Sequence, residues 1–224
     1  MSSYLDPTFA LRIARARAER HGYELVLPGD PRREAVLYGL AAAHALTGSG
    51  WDLAYAREHV GVALPGIGSA ALGLLAAIPY VGPLLAGAAG GVERPQVYLS
   101  PVALRDGAVL LGQLLHEEGH VGDIRRGGPL WCLCYGAIGE VRAGAEAPCY
   151  VADLAARSRL GEDPRALHDG AVAALRAYGL GDGGEALAAG VLRSGLESVL
   201  AGGDPGGIGA EVAAELERVT AVPQ

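Results

Sequence analysis

Residues 110–123 read LLGQLLHEEGHVGD, with His116 and His120 four positions apart and Glu117 directly after the first histidine. On an α-helix a four-residue step is about one turn, so both imidazoles project from one side and can share a metal ion. Glu117 is rotated about 100° from His116 around the helix. It can face a water on that ion without ligating the ion itself. The pattern H-E-x-x-H therefore points to metal-assisted hydrolysis: the ion acidifies a water, and Glu117 takes its proton as general base and passes it to the leaving group.

A catalytic zinc ordinarily has three protein ligands and one open position. His168 is the one histidine after the motif, and position 126, where H-E-x-x-H-x-x-G-x-x-H would need a third histidine, is Arg126. Glutamate is the better source. Glu140 lies 20 residues after His120 in GEVRAGA, with the small residues Ala143, Gly144 and Ala147 near it at helical spacing, which would let two helices approach closely. Glu146, in GAEAPCY, is the rival third ligand. For the oxyanion of a tetrahedral intermediate, or as an outer partner of a ligand, the candidates are Tyr135, Arg142, Tyr150, His168, Asp123 and Asp153. Glu118 is expected to face solvent.

HEEGH followed by GEVRAGA resembles the gluzincins, the thermolysin-like side of the zincin metallopeptidases, over roughly residues 95–155. The resemblance implies zinc as cofactor, His116, His120 and Glu140 as its ligands, Glu117 as general base, and a peptide or protein substrate. It also implies an aspartate four residues after the ligand glutamate, where this chain has Gly144.

The elements that must position these residues can be read from capping and periodicity. Asp6 and Pro7 open a helix over 7–22, and YELVL at 23–27 alternates as a short strand. Asp30 precedes a helix running to about Gly48, and residues 51–60 form another. QVYLSP at 96–101 reads as an edge-like strand, with Ser100 and Pro101 starting the motif helix. RRGGPL at 125–130 reads as a turn, and a second helix from Trp131 ends or kinks before Pro148. Helices over about 150–159, 164–178, 184–201 and 207–221 follow, separated by Gly/Asp/Pro punctuation.

The fold class expected is α+β, mostly α-helical: a zincin-like core with a small sheet and a helical C-terminal subdomain. The divisions are an N-terminal region 1–59, an apolar segment 60–92, a metal-binding core 93–160 and a C-terminal part 161–224, together one compact domain.

Between Glu58 and Glu93 no Asp, Glu, Arg or Lys occurs, although Pro65, Pro79 and Pro83 interrupt the run. The run reads either as buried pieces joined by tight turns or as contact with a membrane or a large assembly such as a virus particle. An alternative function follows from the second reading: a membrane-associated or structural assembly protein that retains a zincin-like metal site, whether active or inactive. The net charge of −7 argues against a nucleic-acid partner. MSSYLDPTFALRIARARAER lacks the apolar stretch of a secretory signal, which leads to the expectation of a cytoplasmic protein, with membrane or virion association as the alternative. The three cysteines, Cys132, Cys134 and Cys149, are too few for a disulfide scaffold. A pairing of Cys149 with Cys132 or Cys134 and a set of buried thiols both remain open.

Overall fold

The computed structural model describes residues 5–34, 36–38, 53–59, 61–64, 94–203, 213–214 and 217–218. The described chain is mostly helical with one three-stranded sheet. Most of the apolar run 60–92 and of the expected helix 207–221 lies outside these residues. No described helix is long and apolar enough to cross a membrane.

Helix α1 (Pro7–His21) starts where Asp6 accepts the amide of Phe9 and Pro7 occupies the first turn, and it stops at Gly22, whose φ of 67° is the left-handed conformation that glycine adopts without strain. Strand β1 (Glu24–Val26) follows. Residues 31–34 and 36–38 are helical behind Asp30, which accepts from the Arg32 amide. Helix α2 (Leu53–His59), strand β2 (Val62–Leu64) and strand β3 (Gln96–Tyr98) come next. The order in the sheet is β1-β3-β2. β1 runs parallel to β3, with Glu24 opposite Gln96, and β2 runs antiparallel, with Val62 opposite Tyr98. The strand expected at an edge, β3, is thus central and fully buried, and β1 and β2 are the edges among the described residues.

The motif helix α3 (Gly107–Ala137) starts later than its sequence suggests. Ser100 caps only a 3-10 turn at Ala103–Arg105, accepting from the Ala103 amide, and Asp106 is the true N-cap, accepting from Ala108 and Val109. The turn expected at 125–130 is a bend inside one continuous helix. Tyr135 lies fifteen positions beyond His120, about 22 Å along a straight helix, yet their ring centroids stand 6.0 Å apart. Pro129 lacks the amide that would bond to the Arg125 carbonyl, and Gly127 and Gly128 precede it, so this is where the helix can fold over. The chain reverses at Ile138, whose backbone is extended, and helix α4 (Gly139–Arg159) returns against α3.

Helix α4 continues through Pro148 rather than ending before it. Pro148 and Gly144 are both exposed. The carbonyl that loses its partner belongs to Gly144 and can bond to water, so the loss is tolerated. Helices α5 (Pro164–Arg176) and α6 (Gly181–Leu200) complete the described fold.

Two apolar cores result. One joins Ile13 and Ala14 of α1, Val97 and Leu99 around β3, and Leu110, Leu111, Leu114 and Leu115 of α3. The other joins Ala143, Ala147 and Val151 of α4 to Ala171 and Leu175 of α5 and Leu192 of α6. The alanines 143 and 147, expected against the motif helix, face α5 and α6 instead. The helix face turned to α3 carries Glu146, Cys149, Asp153 and Ala156. Glu118 is not solvated: it accepts from Arg17 at 2.9 Å and from the Tyr23 hydroxyl at 2.7 Å, which fastens α1 to α3.

Candidate metal centre

His116 and His120, one turn apart on α3, bring their Nε2 atoms to 3.2 Å from each other. Glu146 enters from α4, with Oε2 3.2 Å from His116 Nε2 and Oε1 3.3 Å from His120 Nε2. One ligand atom from each of the three residues lies within 4.8 Å of the others, and all three side chains are buried. Glu146 Oε2 has no aligned hydrogen bond although it is fully buried. A buried carboxylate oxygen without a hydrogen bond, converging with two imidazole nitrogens, fits a divalent cation, and the N/N/O donor set suits zinc.

The charges reflect this crowding. Burial alone would push the Glu146 carboxyl up, but the two imidazoles outweigh it and hold the carboxyl well below its usual range. Burial disfavours a charged His120, yet hydrogen bonds to Cys149 and Glu146 and their charges raise it well above an ordinary histidine. The Glu117 carboxyl is pushed up, chiefly by burial, with the two imidazoles working in the opposite direction.

Glu117 lies beside β2, where the Ala63 backbone offsets part of the effect of burial on its carboxyl. A β-carbon at Gly61 would come within 2.8 Å of Glu117 Oε1, so glycine there makes room for the carboxylate. One turn earlier on α3, Gln113 accepts from the Ser100 amide at 2.8 Å and donates to the His59 carbonyl at 3.1 Å. That side chain clips α3 to both ends of the chain entering and leaving the sheet. It fixes the height at which Glu117 meets β2.

Aromatic rings enclose the other side. Tyr150 sets its ring edge-on to His116 with centroids 4.6 Å apart, and the Tyr135 hydroxyl donates to Glu146 Oε1. Trp131 stands 6.4 Å from His120. Tyr135 and Trp131 reach the centre because α3 bends back. Arg142 is committed to backbone: it donates to the carbonyls of Tyr135, Gly136 and Tyr178, closing the α3–α4 reversal.

Of the residues expected at the site, the structure brings together His116, His120 and Glu146, with Glu117 beside them. It does not bring Glu140, which is exposed in the first turn of α4 with its carboxylate beside Gly183 of α6. Six residues separate the two glutamates, about 9 Å along the axis and about 240° around it, so one helix cannot present both to the same ion. Asp123 pairs with Arg126 and lines a cleft of about 660 Å³ with Arg17, His21, Glu118 and Cys149, a cleft that does not include Glu117 or Glu146. His168 lies on α5 beside Asp169 at 3.2 Å. Asp153 pairs with Arg157 at 3.6 Å. Cys134 and Cys149 are free thiols, and the expectation for Cys132 lies outside the described side chains.

Sequence reasoning missed β2 as the neighbour of Glu117 and Cys149 as the neighbour of His120. The signal for the second was present, since Glu146, Cys149 and Asp153 recur at i, i+3 and i+7 on one face. Comparison of the chain with family models, with curated proteins and with solved structures finds no match.

Proposed function

We propose that this protein is a zinc-dependent hydrolase of peptide bonds, of the gluzincin kind that HEEGH resembles, with Glu146 rather than Glu140 as the third ligand. The observation that carries the reading is the convergence of two imidazole nitrogens and a buried carboxylate from a second helix within 4.8 Å, next to a second buried glutamate whose carboxyl burial pushes up. Zinc held there would supply an electrophile that polarises a carbonyl and acidifies water. Glu117 accepts the proton of the attacking water on its carboxylate and returns it to the leaving amine. Its burial raises its affinity for that proton. β2, an edge strand among the described residues, lies beside Glu117 and favours an extended substrate, since a strand edge can hydrogen-bond a peptide backbone.

The apolar run between Glu58 and Glu93 favours a second reading, in which the same core is a scaffold in a membrane-associated or assembled protein with an inactive site. One experiment separates them. Metal content is measured on protein purified without added zinc, for the wild type and for His116→Ala, Glu146→Gln, Glu140→Gln and Glu117→Gln. The expected result is about one zinc per chain, lost in His116→Ala and Glu146→Gln and kept in the other two. Peptide hydrolysis is expected to fall by about 10² to 10⁴-fold in Glu117→Gln. Loss of zinc in Glu140→Gln but not in Glu146→Gln would overturn the ligand assignment. Bound zinc with no hydrolysis, in a chain that floats with liposomes, would favour the scaffold.

A further inference from the structure

The ring of His120 has two ends. Nε2 faces His116 and Glu146, and Nδ1 faces the Sγ of Cys149 at 3.8 Å. A neutral imidazole carries one N–H, and if Nε2 is the ligand atom the proton sits on Nδ1. A side chain that accepts this proton sets both the tautomer and the ring orientation of a metal-binding histidine. We infer that Cys149 is the positioning residue of the metal centre, its sulfur accepting the Nδ1–H of His120 in the place where such sites ordinarily use a carboxylate or a carbonyl. The inference rests on the metal centre proposed above.

Three features support it besides the distance. Cys149 is only 4% exposed, at the floor of the cleft lined by Asp123, so water has little access to the imidazole N–H. The sulfur is seated directly on the backbone of α3: a β-carbon at Gly119 would lie 2.4 Å from Sγ, so position 119 tolerates only glycine while the thiol stays where it is. Glu146 and Cys149 are three residues apart on α4, so a single helix face supplies a ligand carboxylate to the inner end of His120 and an acceptor to its outer end. Tyr150, four residues after Glu146, packs its ring on His116 and offers no carboxylate there. The described polar partners of His120 are His116 and Glu146 at Nε2 and Cys149 at Nδ1.

The test compares zinc affinity, by competition with a chromophoric chelator, for the wild type, Cys149→Ser, Cys149→Val and Gly119→Ala. Each is also loaded with cobalt for its visible absorption spectrum, and folding is checked by circular dichroism and by the unfolding midpoint without metal. Serine keeps an acceptor, and valine fills the space without one. Cys149→Val is expected to lose about 10 to 100-fold in affinity and to shift the cobalt bands. Cys149→Ser is expected to retain most of the affinity and the wild-type spectrum. Gly119→Ala, which pushes the thiol away, is expected to behave like the valine variant. Equal affinities and spectra across wild type, serine and valine overturn the positioning role, as does an equal loss in serine and valine that follows their loss of metal-free stability. A folded wild type that takes up neither zinc nor cobalt overturns the metal centre itself, which is a different failure.

Discussion

Burial without full compensation marks two carboxylates in α3 and α4, and they differ in what they can do. Glu117 sits beside the proposed cation site, so its raised pKa suits a proton carrier there. Asp153 has no such role, and burial against α3 at Gly112 raises its pKa from 3.8, with Arg157 as the chief opposing influence. A carboxyl whose folded pKa is raised binds its proton more tightly in the folded state. Its contribution to stability is fully present below the unfolded value and is lost as pH rises through the folded one. Asp153→Asn, which mimics the protonated form, is therefore expected to be more stable than the wild type at neutral pH. The gap should close as pH falls toward 3.8. Arg157 keeps its two contacts to Glu162 at 2.7 and 2.6 Å, so the substitution does not strand a cation. Denaturant midpoints between pH 3.5 and 8 measure this, and a gap that widens toward acid would contradict it. The residues legible in the sequence at this scale are those whose geometry one helix dictates: the step from His116 to His120 and the offset of Glu117 follow from 3.6 residues per turn. The choice between Glu140 and Glu146 does not follow from it, because that depends on how a second helix is registered against the first.

At the scale of elements, that register is set at the α3–α4 reversal. A β-carbon on Gly139 would lie 2.0 Å from the Leu180 carbonyl oxygen, so the start of α4 is pressed against the α5–α6 connection. Gly144, one and a half turns on, is exposed with nothing near its missing β-carbon. The two glycines should respond oppositely to alanine. Gly139→Ala forces backbone apart and is expected to cost about 1–3 kcal/mol. Gly144→Ala removes a flexible residue from an open helical surface and is expected to gain up to about 1 kcal/mol. Urea unfolding of both variants checks the pair, and equal effects would contradict the close approach. Capping made the start of α1 legible in the sequence, because Asp6 and Pro7 act on their own neighbours, and alternation made β1 legible; Gly22, read as the last helical residue, is the cap that ends α1. RRGGPL marked the right place, but proline and glycine specify a weak point in the helix and not whether the chain breaks or bends there. The fully buried β3 looked like an edge because β2 is short and begins an apolar run without alternation, and strand order is a long-range property that neither segment encodes alone.

On the scale of the whole molecule, the proposed metal centre lies where two cores meet. α3 belongs to the core built with α1 and the sheet, and α4 carries the core built with α5 and α6. His116 and His120 come from the first, and Glu146 comes from the second. An ion held by all three therefore ties the packing of one core to that of the other, and little of its ligand set survives if either unfolds. A ligand that binds only the folded state stabilises it by RT ln(1 + [L]/Kd), about 2.7 kcal/mol when free zinc is 100 times Kd. For a chain of 224 residues that corresponds to a rise in Tm of roughly 5–10 °C. The expected outcome is a Tm that climbs with the logarithm of free zinc in the wild type and in Glu140→Gln, and that stays flat in Glu146→Gln. A single unfolding transition should persist at every zinc level, since both cores share the ion. Calorimetric scans across a zinc-buffered series provide the measurement. If zinc raised Tm equally in Glu146→Gln, the two histidines alone, or another site, would account for binding, and α4 would have no part in it. If zinc split the transition in two and moved only one half, the ion would belong to a single core and the join between α3 and α4 would rest on apolar packing alone.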